Sequence, residues 1–97
     1  MDRREYDINI MVNKVNIQKL IVSAHYEENH PDITDEVIIE LVRQLDGEEY
    51  TPDDIKPSGF EYFVNDGLQL KGKTYRLIWL LKHDELFIGV VNCYRRD

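Results

Sequence analysis

Three arginines bracket the most apolar hairpin in the sequence: Arg76 near its start, Arg95 and Arg96 at its end. The hairpin runs from Thr74 to Leu81 and from Leu86 to Tyr94, with Lys82-His83-Asp84-Glu85 as its loop. If Leu81 lies opposite Leu86, alternation places Tyr75, Leu77, Trp79 and Leu81 with Leu86, Ile88, Val90, Asn92 and Tyr94. The other face then holds Thr74, Arg76, Ile78 and Leu80 with Phe87, Gly89, Val91, Cys93 and Arg95. On this register Arg76 and Arg95 are cofacial at one end, and Tyr94 points the other way. Two cofacial guanidinium groups repel unless solvent, a carboxylate or an anion separates them. A phosphate suits such a pair, because the guanidinium fork binds its oxygens bidentately. The plainer alternative pairs Arg76 with Glu61 or Glu28 and leaves Arg95 at a frayed terminus.

Other residues with chemistry are less concentrated. His25 and Glu28 stand one helical turn apart and His30 follows, but no fourth ligand has metal-site spacing, so no metal is expected. A lone histidine such as His25 is more often a structural or capping residue than a catalyst. His83 falls in the hairpin loop and is expected to be exposed. Cys93, the single cysteine, sits in mid-strand and reads as a buried, inert thiol. Gly67 and Gly72 fall at strand turns, not in a phosphate-cradling loop, so no cofactor is expected.

The elements that would position these residues follow from periodicity. Tyr6, Ile8, Ile10 and Val12 alternate with polar residues, the mark of a half-buried strand, though residues 1–15 also read as an N-terminal extension with Met11 as a second start. Residues 17–22 read equally as strand or helix. Ser23 is a candidate N-cap for a short helix over 24–29, which Pro31 ends. Thr34 caps a longer helix, roughly 35–46, whose buried stripe is Val37, Ile38, Leu41, Val42 and Leu45, with Gly47 at its close. Residues 48–58 read as a loop. Phe60 to Val64 is a strand, and Asn65-Asp66-Gly67 and Lys71-Gly72-Lys73 read as turns. The expected fold is a single α+β domain over 1–97: two helices packed on one face of a twisted antiparallel sheet of three to four strands.

Charge divides the chain. The net charge is −7, and the segment 27–54 holds eleven acidic residues against one basic residue. Residues 55–97 hold seven basic and five acidic. The central segment is thus either a solvated helix surface or a face for a basic partner. No apolar region follows Met1-Asp2-Arg3-Arg4-Glu5, and no run approaches the ~18 apolar residues of a membrane span. With no internal disulfide available, the expected location is cytoplasmic, away from membranes.

Four short segments carry a resemblance. Ile21-Val22-Ser23-Ala24-His25-Tyr26, Ile33-Thr34-Asp35-Glu36-Val37-Ile38, Gly72-Lys73-Thr74-Tyr75-Arg76-Leu77-Ile78-Trp79 and Ile88-Gly89-Val90-Val91-Asn92-Cys93-Tyr94-Arg95 resemble the small RelE/BrnT-type toxin domains over about residues 20–96. The resemblance implies a metal-independent endoribonuclease of a toxin–antitoxin system, with RNA as substrate and a cognate antitoxin or other protein as partner. The matching site positions are His25, Arg76, Tyr94 and Arg95. The implied chemistry is attack of a ribose 2′-OH on the adjacent phosphodiester. His25 would serve as base or acid, an arginine would stabilise the phosphorane, and Tyr94 would stack a base or donate a proton. The chain departs from the family in its acidity, and in lacking the arginine often found a turn after the histidine. A non-catalytic antitoxin or immunity-type module, using the acidic 27–54 face, is the alternative, and a small soluble domain with another role is a third.

Overall fold

A computed structural model of the chain describes residues 3–23 and 33–96. The strands are β1 (Arg4–Val12), β2 (Val15–Val22), β3 (Asp54–Ile55), β4 (Phe60–Leu70), β5 (Lys73–Lys82) and β6 (Phe87–Arg95), and the helix α1 (Asp35–Arg43) lies between β2 and β3 in the chain. All six strands form one sheet in the order β1-β2-β6-β5-β4-β3. Neighbours are antiparallel except β2 and β6, which run parallel from Lys19 opposite Phe87 to Val22 opposite Val90.

This corrects the expected fold of two helices on a three-to-four-strand antiparallel sheet. The sheet is mixed and six-stranded, and α1 is the one helix among the described residues. The expected helix over 24–29 lies outside the described residues. β1 is no extension: Ile8, Ile10 and Val12 are buried in the core. Residues 17–22 settle as strand, and their helix-like spacing has a local cause. The β1–β2 register slips between Asp7 and Ile10, Gln18 and Lys19 are both exposed, and Ile17 and Leu20 therefore both face inward. A bulge has imitated a helical period.

Local chemistry explains the rest. Asn13 and Lys14 both have positive φ, as do Lys71 and Gly72, which is the conformation that closes two-residue hairpins with the right twist. The Thr34 hydroxyl accepts a hydrogen bond from the Val37 amide at 3.3 Å and starts α1, with Asp35 and Glu36 at the positive end of its dipole and Arg43 at the other. Four residues of the expected stripe, Ile38, Leu41, Val42 and Leu45, are each 0% exposed and the fifth, Val37, is half-buried, although α1 ends at Arg43 and reaches Gly47 through a turn. Asn65-Asp66-Gly67 is not a turn. It lies within β4, where the ladder shifts between Asp66 and Leu68 and Gly67 takes φ 88°.

The core lies between α1 and one face of the sheet. Trp79 is fully buried at its centre, stacked on Phe63 at 4.1 Å between centroids and met edge-on by Tyr50 at 5.5 Å. Its indole N–H donates to Asn65 Oδ1 at 2.7 Å, so the polar edge of the ring is satisfied.

Candidate functional site

Alternation along β5 sends Tyr75, Leu77, Trp79 and Leu81 into the core, and Arg76, Ile78 and Leu80 to the face away from α1. On β4 the residues opposite those three are Asp66, Val64 and Tyr62. On β6 they are Tyr94, Asn92 and Gly89. This far face therefore has an apolar middle and a polar end.

One residue decides the composition of that end. Trp79 opposes Val90, but Ile78 opposes Asn92, so Val91 is an extra residue in β6. Beyond this bulge the strand's phase reverses. Cys93 turns into the core, fully buried, and Asn92 and Tyr94 turn to the far face. The expected pairing of Arg76 with Arg95 is thereby corrected. Arg76 stands directly across from Tyr94, and Arg95 lies opposite Tyr75, on the α1 side of the sheet and exposed. The alternative pairing with Glu61 also fails, because Glu61 opposes Leu81 and so shares the core side.

The polar end is a compact arrangement. Asn92 donates through Nδ2 to the Tyr94 hydroxyl at 2.8 Å and accepts from the Cys93 amide at 2.9 Å. Asp66 is held by Arg96, with Nε 3.3 Å from Oδ1, and the Arg96 amide donates to the Thr74 carbonyl at 2.8 Å. Arg76 lies between Asp66 and Tyr94, half-buried, and its Nε is a buried donor without a hydrogen-bond partner. A buried donor left unmade costs roughly 1–3 kcal/mol. Asp66 is paired with Arg96, and Arg76 forms no ion pair among the described residues, so an anion with acceptor oxygens fits both the charge and the free donor.

The rest of the far face is aromatic and aliphatic. Tyr62 and Phe60 on β4 and Phe87 on β6 are half-buried. Lys82 holds its ammonium 5.2 Å from the centre of the Phe60 ring, and Lys56 lies 6.0 Å from that of Tyr62. Lys56 also pairs with Asp54 at 2.7 Å, which lowers the Asp54 pKa and raises that of Lys56.

Of the four expected site residues, the fold brings Arg76 and Tyr94 together and directs Arg95 elsewhere, while His25 lies outside the described residues. Glu28 and His30 lie outside them too. Among the described residues no group of three His, Cys, Asp or Glu side chains gathers as a metal site. Asp66, Asn92 and Arg96 join the site without having been expected there. Asp66 was hidden because Asn-Asp-Gly reads as a turn, and Asn92 because nothing in Val90-Val91 announces a bulge.

Much of the acidic segment has structural work. Asp35 accepts from Arg4 Nε at 2.7 Å and from Arg4 Nη2 at 3.1 Å, and also from the Tyr6 hydroxyl. Burial pushes the Asp35 pKa up, but the bonds from Arg4 and Tyr6 outweigh it, and the net shift is downward. The same bond to Asp35, with burial, raises the Tyr6 pKa. Asp46 accepts from the Met11 amide at 2.7 Å and Asp53 from that of Val64 at 3.0 Å. Glu36, Glu40 and Glu48 are exposed and form no ion pair among the described residues.

Comparison with protein-family models, with curated proteins and with solved structures finds no match to this chain. Among the described residues no helix is long and apolar enough to cross a membrane.

Proposed function

We propose that the far face of the sheet binds single-stranded RNA and that the chain is an RNA-cleaving, toxin-like protein. The observation that carries this reading is Arg76: a half-buried guanidinium with a buried, unused Nε donor, directly across from Tyr94. A phosphodiester seated there receives a charge-assisted hydrogen bond, and Tyr94 offers a ring and a hydroxyl beside it. Tyr62, Phe60 and Phe87 offer ring faces on which successive bases can stack, a mode that tolerates sequence variation. In the reaction, the 2′-hydroxyl gives its proton to a base and its oxygen attacks phosphorus, the P–O5′ bond breaks with a proton delivered to the leaving 5′-oxygen, and Arg76 stabilises charge on the phosphorane in between. The motif resemblance assigns His25 as base or acid in these proton transfers, and Tyr94 as a candidate proton donor.

The test is induced expression in a bacterial host, with growth and total RNA integrity followed, beside binding of a labelled single-stranded RNA by fluorescence anisotropy. Arg76→Ala is expected to weaken RNA binding about tenfold and to relieve growth arrest. Tyr94→Phe keeps the ring, so stacking survives while proton donation is lost. Normal growth, intact RNA and no binding by the wild type would refute the reading.

A second reading rests on Glu36, Glu40 and Glu48, exposed and without ion-pair partners among the described residues. They would suit a basic protein partner of a non-catalytic module, and a chain that fails the RNA test but captures a basic partner through these residues would support it.

A further inference from the structure

A cleft of about 610 Å³ lies on the other side of the sheet, at the end that carries the β1–β2 and β5–β6 turns. Its volume is within the roughly 300–1,000 Å³ usual for small-molecule sites. Val15 and Leu86 supply its apolar surface, over the buried Ile17 and Leu81, and Glu61 and Glu85 supply carboxylates. Leu86 is 47% exposed, although its carbonyl is fixed by the Gln18 amide at 2.9 Å, so it presents an apolar wall on an anchored backbone.

The remaining lining groups are already engaged. Asn13 donates to the Tyr50 carbonyl at 3.0 Å and accepts from the Tyr50 amide at 2.5 Å. His83 and Asp84 lie 3.3 Å apart and are both highly exposed. Lys82 is in the lining, but alternation turns its side chain to the far face, where its ammonium lies over Phe60. What the cleft offers a ligand is therefore an apolar floor and two carboxylates. Glu61, half-buried on a core-side strand position, has no ion pair or side-chain hydrogen bond among the described residues, and neither does Glu85.

We infer that this cleft binds an aliphatic cation: an alkyl chain that lies on Val15 and Leu86 and ends in an ammonium or guanidinium group held by Glu61 and Glu85. The alkyl chain removes apolar surface from water, and the cationic head meets carboxylates that no cation of the described residues pairs with. An anion or an uncharged polar ligand gains neither. The acidity of the whole chain, −7, favours the approach of such a ligand. The site is independent of the RNA reading, because it lies on the opposite side of the sheet from Arg76.

The experiment is an NMR titration of the full chain with n-butylguanidinium and n-butylammonium, with n-butanol as the uncharged control. Saturable shifts at Val15 and Leu86 with the cations but not the alcohol are expected. Glu61→Gln should weaken binding about tenfold, since it removes one charge and little volume. Glu85→Gln in an exposed turn gives a second variant that preserves the fold, and should weaken binding in the same direction. Affinity should fall as salt is raised. A blocked Leu-Arg peptide separates the sources of the cation: tighter binding than the free fragment points to a partner's side chain, weaker binding to a free amine. No saturable shift, an equal response to butanol, or unchanged affinity in both variants would overturn the inference.

Discussion

Asp35→Ala is expected to be among the most damaging single changes at any charged position outside the functional sites. The side chains of Asp35 and Arg4 are only 18% and 26% exposed, and the carboxylate takes both guanidinium bonds and the Tyr6 hydroxyl. Charge-assisted hydrogen bonds contribute roughly 1.5–3 kcal/mol, and an acid in the first turn of a helix adds about 0.3–1 kcal/mol. The retained Arg4 can reach solvent, so we expect a total loss of about 2–3 kcal/mol. For a domain of this size that lowers Tm by about 10–20 °C. Urea unfolding followed by Trp79 fluorescence measures it directly, since Trp79 is the single tryptophan and is fully buried. The pH dependence adds a signature. The folded pKa of Asp35 is lowered, so the unfolded chain takes up the proton first. The stabilisation is complete above the unfolded value, about 3.9, and is lost as pH falls through the folded value. Asp35→Asn should therefore flatten the acid limb of the stability profile. A loss below about 0.5 kcal/mol, or an unchanged acid limb, would refute the view that this network ties β1 to α1.

Two further outcomes test the fold. Gly67→Ala finds open space for its Cβ but must adopt φ +88°, so a loss of about 1 kcal/mol is expected in urea unfolding; no loss would mean that β4 has no left-handed residue there. The pKa of Tyr50 is raised by burial and by Glu48, and that of Tyr6 by Asp35 and burial. Both hydroxyls favour the neutral form in the folded state, so their stabilisation holds below about pH 10 and fades as pH rises beyond it. Tyr6→Phe should weaken that alkaline dependence in a pH series of thermal melts.

The legible parts of the fold were those whose signals are local. Thr34 followed by Asp35, Glu36 and an apolar stripe fixes a helix within three turns of chain, and α1 forms there. β5 and β6 were legible for the same reason, as adjacent apolar strands with a charged turn. The size of the sheet was not, because its central join is non-local: β2 meets β6 in parallel, more than sixty residues later, and nothing between Ile17 and Val22 encodes that partner. Local spacing there misleads, since the slip that exposes Gln18 and Lys19 gives a strand the i, i+3 pattern of a helix.

The candidate site shows the same division at finer grain. Arg76 and Tyr94 were nameable as residue types, but their meeting depends on the parity of a strand, and parity is changed by a single residue. Counting from the β5–β6 turn without interruption sets Arg95 beside Arg76 and turns Tyr94 away. Adding Val91 as a bulge reverses both assignments and seats Cys93 in the core. The burial of Cys93 is the physical reason that the bulge pays for itself: an unbulged β6 would carry Asn92 inward, where its amide would need partners that an apolar core lacks. Bulges recur where a strand must re-aim a side chain, and here the re-aimed residue is the tyrosine opposite Arg76, whose buried Nε has no acceptor among the described residues. Core packing thus selects the register, and the register in turn places an aromatic hydroxyl against a cation with a donor to spare.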